Sequence, residues 1–232
     1  MDQLSPRFRV LAPDLLGAGK GQPWPADRAV SLGDEVALLE PVFATAGDPF
    51  VLVGHSYGAS VALMAALAKP RRVRALVLYE ATLFSLLEQE APGGEAADGI
   101  RQAAADAAKA IDEGDTAAAA RRFIDYWMGP GSWDRMPPTR QGPVAASMVN
   151  VRGWAAALFA EPTPLQAFAA LHMPILYMVG AHSPASSRGV ARLLARVLPQ
   201  ARILVLPDLG HMGPVTHPEV VNAAIAHFLS EG

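Results

Sequence analysis

Residues 54–58 read Gly54-His55-Ser56-Tyr57-Gly58, directly after the apolar run Phe50-Val51-Leu52-Val53 and directly before the small-residue stretch Ala59 to Ala68. A serine between glycines, at the end of a buried strand and the start of a helix, is placed for nucleophilic chemistry. The chain must turn sharply enough there to push the hydroxyl into the open, with room beside it only for side chains as small as glycine. A serine hydroxyl is a weak nucleophile at neutral pH and needs a base to take its proton. An imidazole suits that task, with a carboxylate behind it to fix the tautomer and stabilise the imidazolium. The chemistry so predicted is nucleophilic attack by a base-activated serine.

The elements that must position such groups alternate between strand and helix. Short apolar strands are predicted at Phe8 to Ala12, Phe50 to Val53, Ala75 to Tyr79, Ile175 to Val179 and Ile203 to Leu206. Between them, Leu32 to Phe43 has helical spacing, with Leu32, Val36, Leu39 and Phe43 on one face and Ser31 as N-cap. Ala59 to Ala68, Arg188 to Leu198 and Val220 to Leu229 are further helices. Continuous apolar strands alternating with helices imply an α/β fold, a mostly parallel, doubly wound sheet covered on both faces. The stretch from Phe84 to Leu171 breaks the rhythm: it is helix-rich, without a convincing strand, and carries Phe123, Tyr126, Trp127, Trp133, Trp154 and Phe159. It reads as a helical lid (84–171) inserted into a core formed by 1–83 and 172–232, its aromatics mainly forming the lid's own core. A lid over the carboxyl edge of a sheet is also where an apolar pocket forms.

In a parallel sheet every strand delivers its following loop to one edge, so residues far apart in sequence converge there. Past the elbow strand, three loops qualify. They hold Glu80; Gly180-Ala181-His182-Ser183-Pro184; and Pro207-Asp208-Leu209-Gly210-His211. His211, after the last strand and before the closing helix, is the strongest base candidate. The side chain of His55 is expected to point away from Ser56, and His217 to form the turn before Pro218. His172 and His227 fall in helical or linker context, and His182 is ambiguous.

These residues together resemble the α/β-hydrolase family. Val10-Leu11-Ala12-Pro13-Asp14-Leu15-Leu16-Gly17-Ala18-Gly19 is similar to its strand-four signature, Gly54 to Gly58 to its elbow, and Gly210-His211-Met212 to its histidine loop. The resemblance covers nearly the whole chain, the lid most weakly. It implies that Ser56 is the nucleophile, His211 the general base and the backbone N–H of Tyr57 an oxyanion donor.

Two features depart from the family pattern. At the family's usual acid position, three residues after Gly180, stands Ser183, which cannot carry the charge. A minority of members place the acid one strand earlier, where Glu80 stands, so Glu80 is the expected acid and Asp208 its rival. Asp14 is expected to cap its own turn. The second departure is upstream. Met1-Asp2-Gln3-Leu4-Ser5-Pro6 resembles the end of a helix that in the family normally follows early strands and then a strand whose loop, often His-Gly, supplies an oxyanion N–H. The chain is therefore expected to lack these N-terminal strands and that loop, and a second oxyanion donor is not assigned. The missing strand would leave an empty slot, its neighbours ~9.6 Å apart and beyond hydrogen bonding, unless they close up.

The bulk properties are those of a compact enzyme. With 232 residues and 51% of them hydrophobic, the chain can bury a sizeable core. A net charge of −3 gives no reason to expect nucleic acid or an anionic membrane as partner, and cysteines are absent. With no apolar run of membrane-spanning length and no signal-like start, the expected location is cytoplasmic. No metal or organic cofactor is implied, the partner is a small-molecule substrate, and oligomeric state is left open. The expected function is a serine hydrolase acting on a small, largely apolar ester or related acyl compound. The alternatives are a catalytically weak or silent small-molecule binder, or a C–C bond hydrolase, lactone hydrolase or perhydrolase of the same fold.

Overall fold

Four apolar segments pair into one sheet, β1 (Phe50–His55), β2 (Val73–Tyr79), β3 (Ile175–Gly180) and β4 (Ala201–Leu206), in that order and all parallel. The computed structural model describes residues 3–25 and 27–231. Because side chains alternate across a strand, each central strand feeds two cores. Leu76 and Leu78 of β2, with Ile175 and Tyr177 of β3, pack into the larger cluster; Val77, Tyr79, Leu176 and Met178 pack into the smaller one on the opposite face.

Helices cover both faces. Before and after β1 come α1 (Leu32–Leu38), α2 (Glu40–Ala46) and α3 (Tyr57–Ala68). Between β2 and β3 lie α4 (Ser85–Glu90), α5 (Glu95–Asp112), α6 (Thr116–Met128), α7 (Ser132–Arg135), α8 (Pro138–Ser147) and α9 (Val151–Phe159). The chain closes with α10 (Ala185–Ala195), α11 (Gly213–Thr216) and α12 (Pro218–Ser230). Residues of α3 and α10 join the larger cluster, whereas Val221 and Ile225 of α12 cover the other face. The helical insertion has a small core of its own around Ala107, Ala119, Trp133, Met148 and Val151. Among the described residues, no helix is long and apolar enough to cross a membrane.

The predicted strands at 50–53, 75–79, 175–179 and 203–206 are all present, each extended by one or more residues. Phe8 to Ala12 is not a strand. A strand needs a partner, and a cavity of about 590 Å³ lies between Val10–Pro13 on one side and Val51–Val53 on the other. Among the described residues nothing pairs with this edge of β1, where Val53 is 52% exposed. The two segments have not closed up, so the slot expected from the sequence is open. Met1 and Asp2 lie outside the described residues, and Leu4 to Phe8 form a turn in which the N–H groups of Arg7 and Phe8 donate to the Leu4 carbonyl at 3.0 Å.

The predicted helix over 32–43 is two helices that meet at Leu39. Pro41 stands in the first turn of α2, and with no N–H it cannot bond the carbonyl one turn back, so the ladder restarts there. Ser31 caps α1 as expected, in a reciprocal capping box with Asp34.

Candidate active site

The sheet sets the site by carrying its ladder one residue past the strands. Ser56 N–H donates to the Tyr79 carbonyl at 3.0 Å, and Glu80 N–H donates to the Met178 carbonyl at 3.1 Å. Ser56 and Glu80 therefore sit on adjacent strand ends, both with positive φ (55° and 50°). Such a conformation costs a non-glycine residue about 1–3 kcal/mol and is held by the surrounding structure. For Ser56 the strain is the sharp turn from β1 into α3. Gly54 is needed for that turn, since a Cβ there would lie 2.5 Å from Ala59 Cα and from the Gly58 carbonyl oxygen. Gly58 is not: a Cβ there would meet nothing within 4 Å, because it faces the open slot, which corrects the expectation of tight space on both sides.

The loop after β4 brings His211 to the same edge. Ser56 Oγ lies 2.9 Å from His211 Nε2, and His211 Nδ1 lies 2.7 Å from Glu80 Oε2. Glu80 is fully buried and His211 nearly so. With the carboxylate accepting from Nδ1–H, Nε2 is left free to accept the serine proton. The second carboxylate oxygen, Oε1, accepts the backbone N–H of Gly180 at 2.7 Å and the hydroxyl of Ser183. Burial pushes the Glu80 carboxyl upward, but the hydrogen bond and charge of His211, with Ser183 and Gly180, outweigh it and hold the group below its ordinary value. Ser183, at the family's usual acid position, is thus a donor to the carboxylate that stands one strand away.

The other candidates lie elsewhere. Asp208, His182, His172 and His227 are exposed, and His217 ends α11 just before Pro218. Asp14 Oδ2 accepts the N–H of Lys20 at 2.9 Å and so caps its own turn. Tyr57 is the first residue of α3, and its backbone N–H, next to Ser56, is one of those a helix start leaves unpaired.

Three contributions had no sequence signal. His55 Nε2 lies 2.8 Å from the His211 carbonyl. Burial, then the neighbouring His211, push its imidazole down to about 4, so it is neutral and donates Nε2–H to that carbonyl. Tyr79 Oη donates to the preceding carbonyl, Gly210, at 2.7 Å, so two side chains clamp the His211 loop. Glu35, fully buried in α1, accepts the Tyr57 hydroxyl at 3.1 Å and the Leu16 N–H at 3.3 Å, and burial raises its carboxyl.

The helical insertion reaches this edge at several points. The Trp127 indole of α6 stacks on the His211 ring, centroids 3.9 Å apart. Tyr126 Oη and Ser186 Oγ of α10 are 2.7 Å apart, and Asn150 Nδ2 donates to the Gly17 carbonyl at 2.9 Å. Trp24, edge-on to Tyr57, lies against Gly153 of α9.

Comparison with known proteins agrees with this architecture. Residues 1–218 match the family model described as alpha/beta hydrolase fold. The lipase LipV of Mycobacterium tuberculosis is 42% identical over 76 residues, 32% of this chain and only 28% of the lipase's own length. The pimeloyl-[acyl-carrier protein] methyl ester esterase of Edwardsiella ictaluri is 27% identical over 234 residues, covering 97% of this chain and 84% of the esterase. Among solved structures, a hydrolase from Pseudomonas aeruginosa superposes with a TM-score of 0.74 at 27% identity, over 98% of this chain and 82% of that one.

Proposed function

The chain belongs to the alpha/beta hydrolase fold family, and from that premise we propose that it is a serine hydrolase cleaving a small, largely apolar ester or related acyl compound. The observation that carries the proposal is the unbroken path from Ser56 Oγ through His211 to Glu80, with contacts of 2.9 and 2.7 Å. Lipase and esterase relatives support the same reaction class.

In this mechanism Ser56 Oγ attacks the substrate carbonyl while His211 Nε2 takes the hydroxyl proton. Glu80 stabilises the imidazolium without taking its proton. Negative charge on the tetrahedral oxygen is met by the Tyr57 N–H at the start of α3, where the helix dipole adds to the effect. His211 then protonates the leaving alcohol, whose departure leaves an acyl-Ser56. Water, deprotonated by His211, releases the acid and restores the serine. The insertion acts as a lid whose Trp127 and Phe84, with Trp24 of the core beside Tyr57, give the space between them an aromatic, uncharged character, which favours an apolar acyl group.

Hydrolysis of p-nitrophenyl esters across a series of acyl lengths tests this reading. The expected result is turnover of short acyl chains that falls about 10⁴-fold or more in Ser56→Ala. Retention of an unaltered ester without turnover would mark the protein as a binder and end the hydrolase assignment.

A further inference from the structure

The His211 ring is held on its faces as well as at its nitrogens. Trp127 stacks on it with centroids 3.9 Å apart and planes 26° apart, and His55 stands near it at 5.0 Å, tilted by 45°. Trp127 is itself fixed, with Phe84 stacked at 6.3 Å and Phe123 and Tyr126 edge-on at 6.0 and 4.9 Å. The bond between Tyr126 and Ser186 ties this turn of α6 to α10, the helix that also carries Ser187, whose Oγ is 3.4 Å from His211 Nδ1.

Resting on the hydrolase reading above, we propose that Trp127 is a positioning residue for the His211 base. Its indole face holds the imidazole in line between Ser56 and Glu80, and it stabilises the ring once the serine proton has arrived. The face of an indole carries the negative part of the ring quadrupole and attracts a cation within about 6 Å. The imidazole is neutral before the attack and positive after it, so the attraction grows as the reaction proceeds, which is the condition for lowering a barrier. The polar and titratable groups facing His211 are Glu80 beyond β2, His55 at the end of β1, Ser56 at the elbow and Ser187 on α10. His55 is neutral and the serines carry no charge, so Glu80 and the indole are the two groups that favour the imidazolium. The indole comes from the helical insertion, so the strength of the base depends on α6 being seated.

The test is the pH dependence of kcat/KM on p-nitrophenyl butyrate for the parent, Trp127→Leu, Trp127→Phe and Ser56→Ala. Removing the aromatic face should move the acid limb of the Leu variant to lower pH by about half to one unit, and lower its plateau about 3- to 10-fold. Trp127→Phe keeps a weaker aromatic face and should move the limb in the same direction by less. A disturbed core alone lowers the plateau and leaves the limb in place. If Trp127→Leu does not fold, the Phe variant decides. With a Ser56-dependent parent, an unmoved limb in the variants that fold overturns this proposal alone. Activity that survives Ser56→Ala, or an inactive parent, overturns the hydrolase reading and this proposal with it.

Discussion

Glu80 Oε2 lies 2.7 Å from His211 Nδ1 although 131 residues separate them, and Oε1 of the same carboxylate is occupied by Gly180 N–H and the Ser183 hydroxyl. Both oxygens of a fully buried carboxylate are thus satisfied, which is what allows it to stay charged there. Asp208, three residues before His211, is exposed and takes no part in this arrangement.

The first prediction separates these two carboxylates. Glu80→Gln should lower kcat about 10³- to 10⁴-fold with little change in KM, because the imidazole loses its tautomer control and the support of its charged form. Asp208→Asn should stay within about 2-fold of the parent, in keeping with an exposed surface change. Steady-state kinetics of the two variants side by side decide the matter, and the reverse ranking would make Asp208 the acid.

The second prediction concerns Ser183, whose hydroxyl steadies the acid and does not touch the base. Ser183→Ala should lower kcat about 5- to 30-fold, the range for one charge-assisted hydrogen bond of about 1–2 kcal/mol. A kcat equal to that of Glu80→Gln would mean that Ser183 has a larger part than a donor to Oε1.

Much of this was readable because it depends on local pattern. Apolar runs gave the strands, glycine and serine gave the elbow, and strand-end position gave Glu80 and His211. What escaped depends on tertiary partners. Phe8 to Ala12 has strand composition, but among the described residues no strand lies beside it. The break at Leu39 has a local signal in Pro41, which the apolar spacing of residues 32–43 does not reflect. Trp127 is one of eight aromatics in residues 84–171, and nothing local separates the one that lies on His211 from those, such as Trp133, that fill the insertion's own core. His55 and Tyr79 act through carbonyls of a loop more than 130 residues away, which no spacing rule reaches.

The third prediction follows from the neutral His55. Its folded form takes up a proton only near pH 4, whereas the unfolded chain does so at its ordinary 6.5. The unfolded state therefore binds more protons between these values, and stability falls as pH drops. The contribution is complete above 6.5, declines by about 3 kcal/mol on the way to pH 4, and is level below that. Urea unfolding across this window should show that decline in the parent and a much smaller one in His55→Gln, which keeps a side-chain donor for the His211 carbonyl. Equal declines in both would show that His55 is not the group responsible.

The fourth prediction distinguishes the two glycines of the elbow. Gly54→Ala places a Cβ against backbone atoms of Gly58 and Ala59 and should cost about 3 kcal/mol, with loss of activity. Gly58→Ala meets open space inside α3 and should be neutral, or stabilising by up to about 1 kcal/mol through helix propensity. Urea midpoints of the two variants provide the check, and equal destabilisation would contradict the geometry of the turn.

In the proposed mechanism His211 and Glu80 activate Ser56 as a nucleophile. The most direct test of this mechanism is reaction with a fluorophosphonate, followed by mass spectrometry of the proteolytic peptides. One adduct is expected, on the peptide containing Ser56, absent in Ser56→Ala and formed about 10³-fold or more slowly in His211→Ala. An adduct that persists in Ser56→Ala, or a parent that forms none, would contradict it.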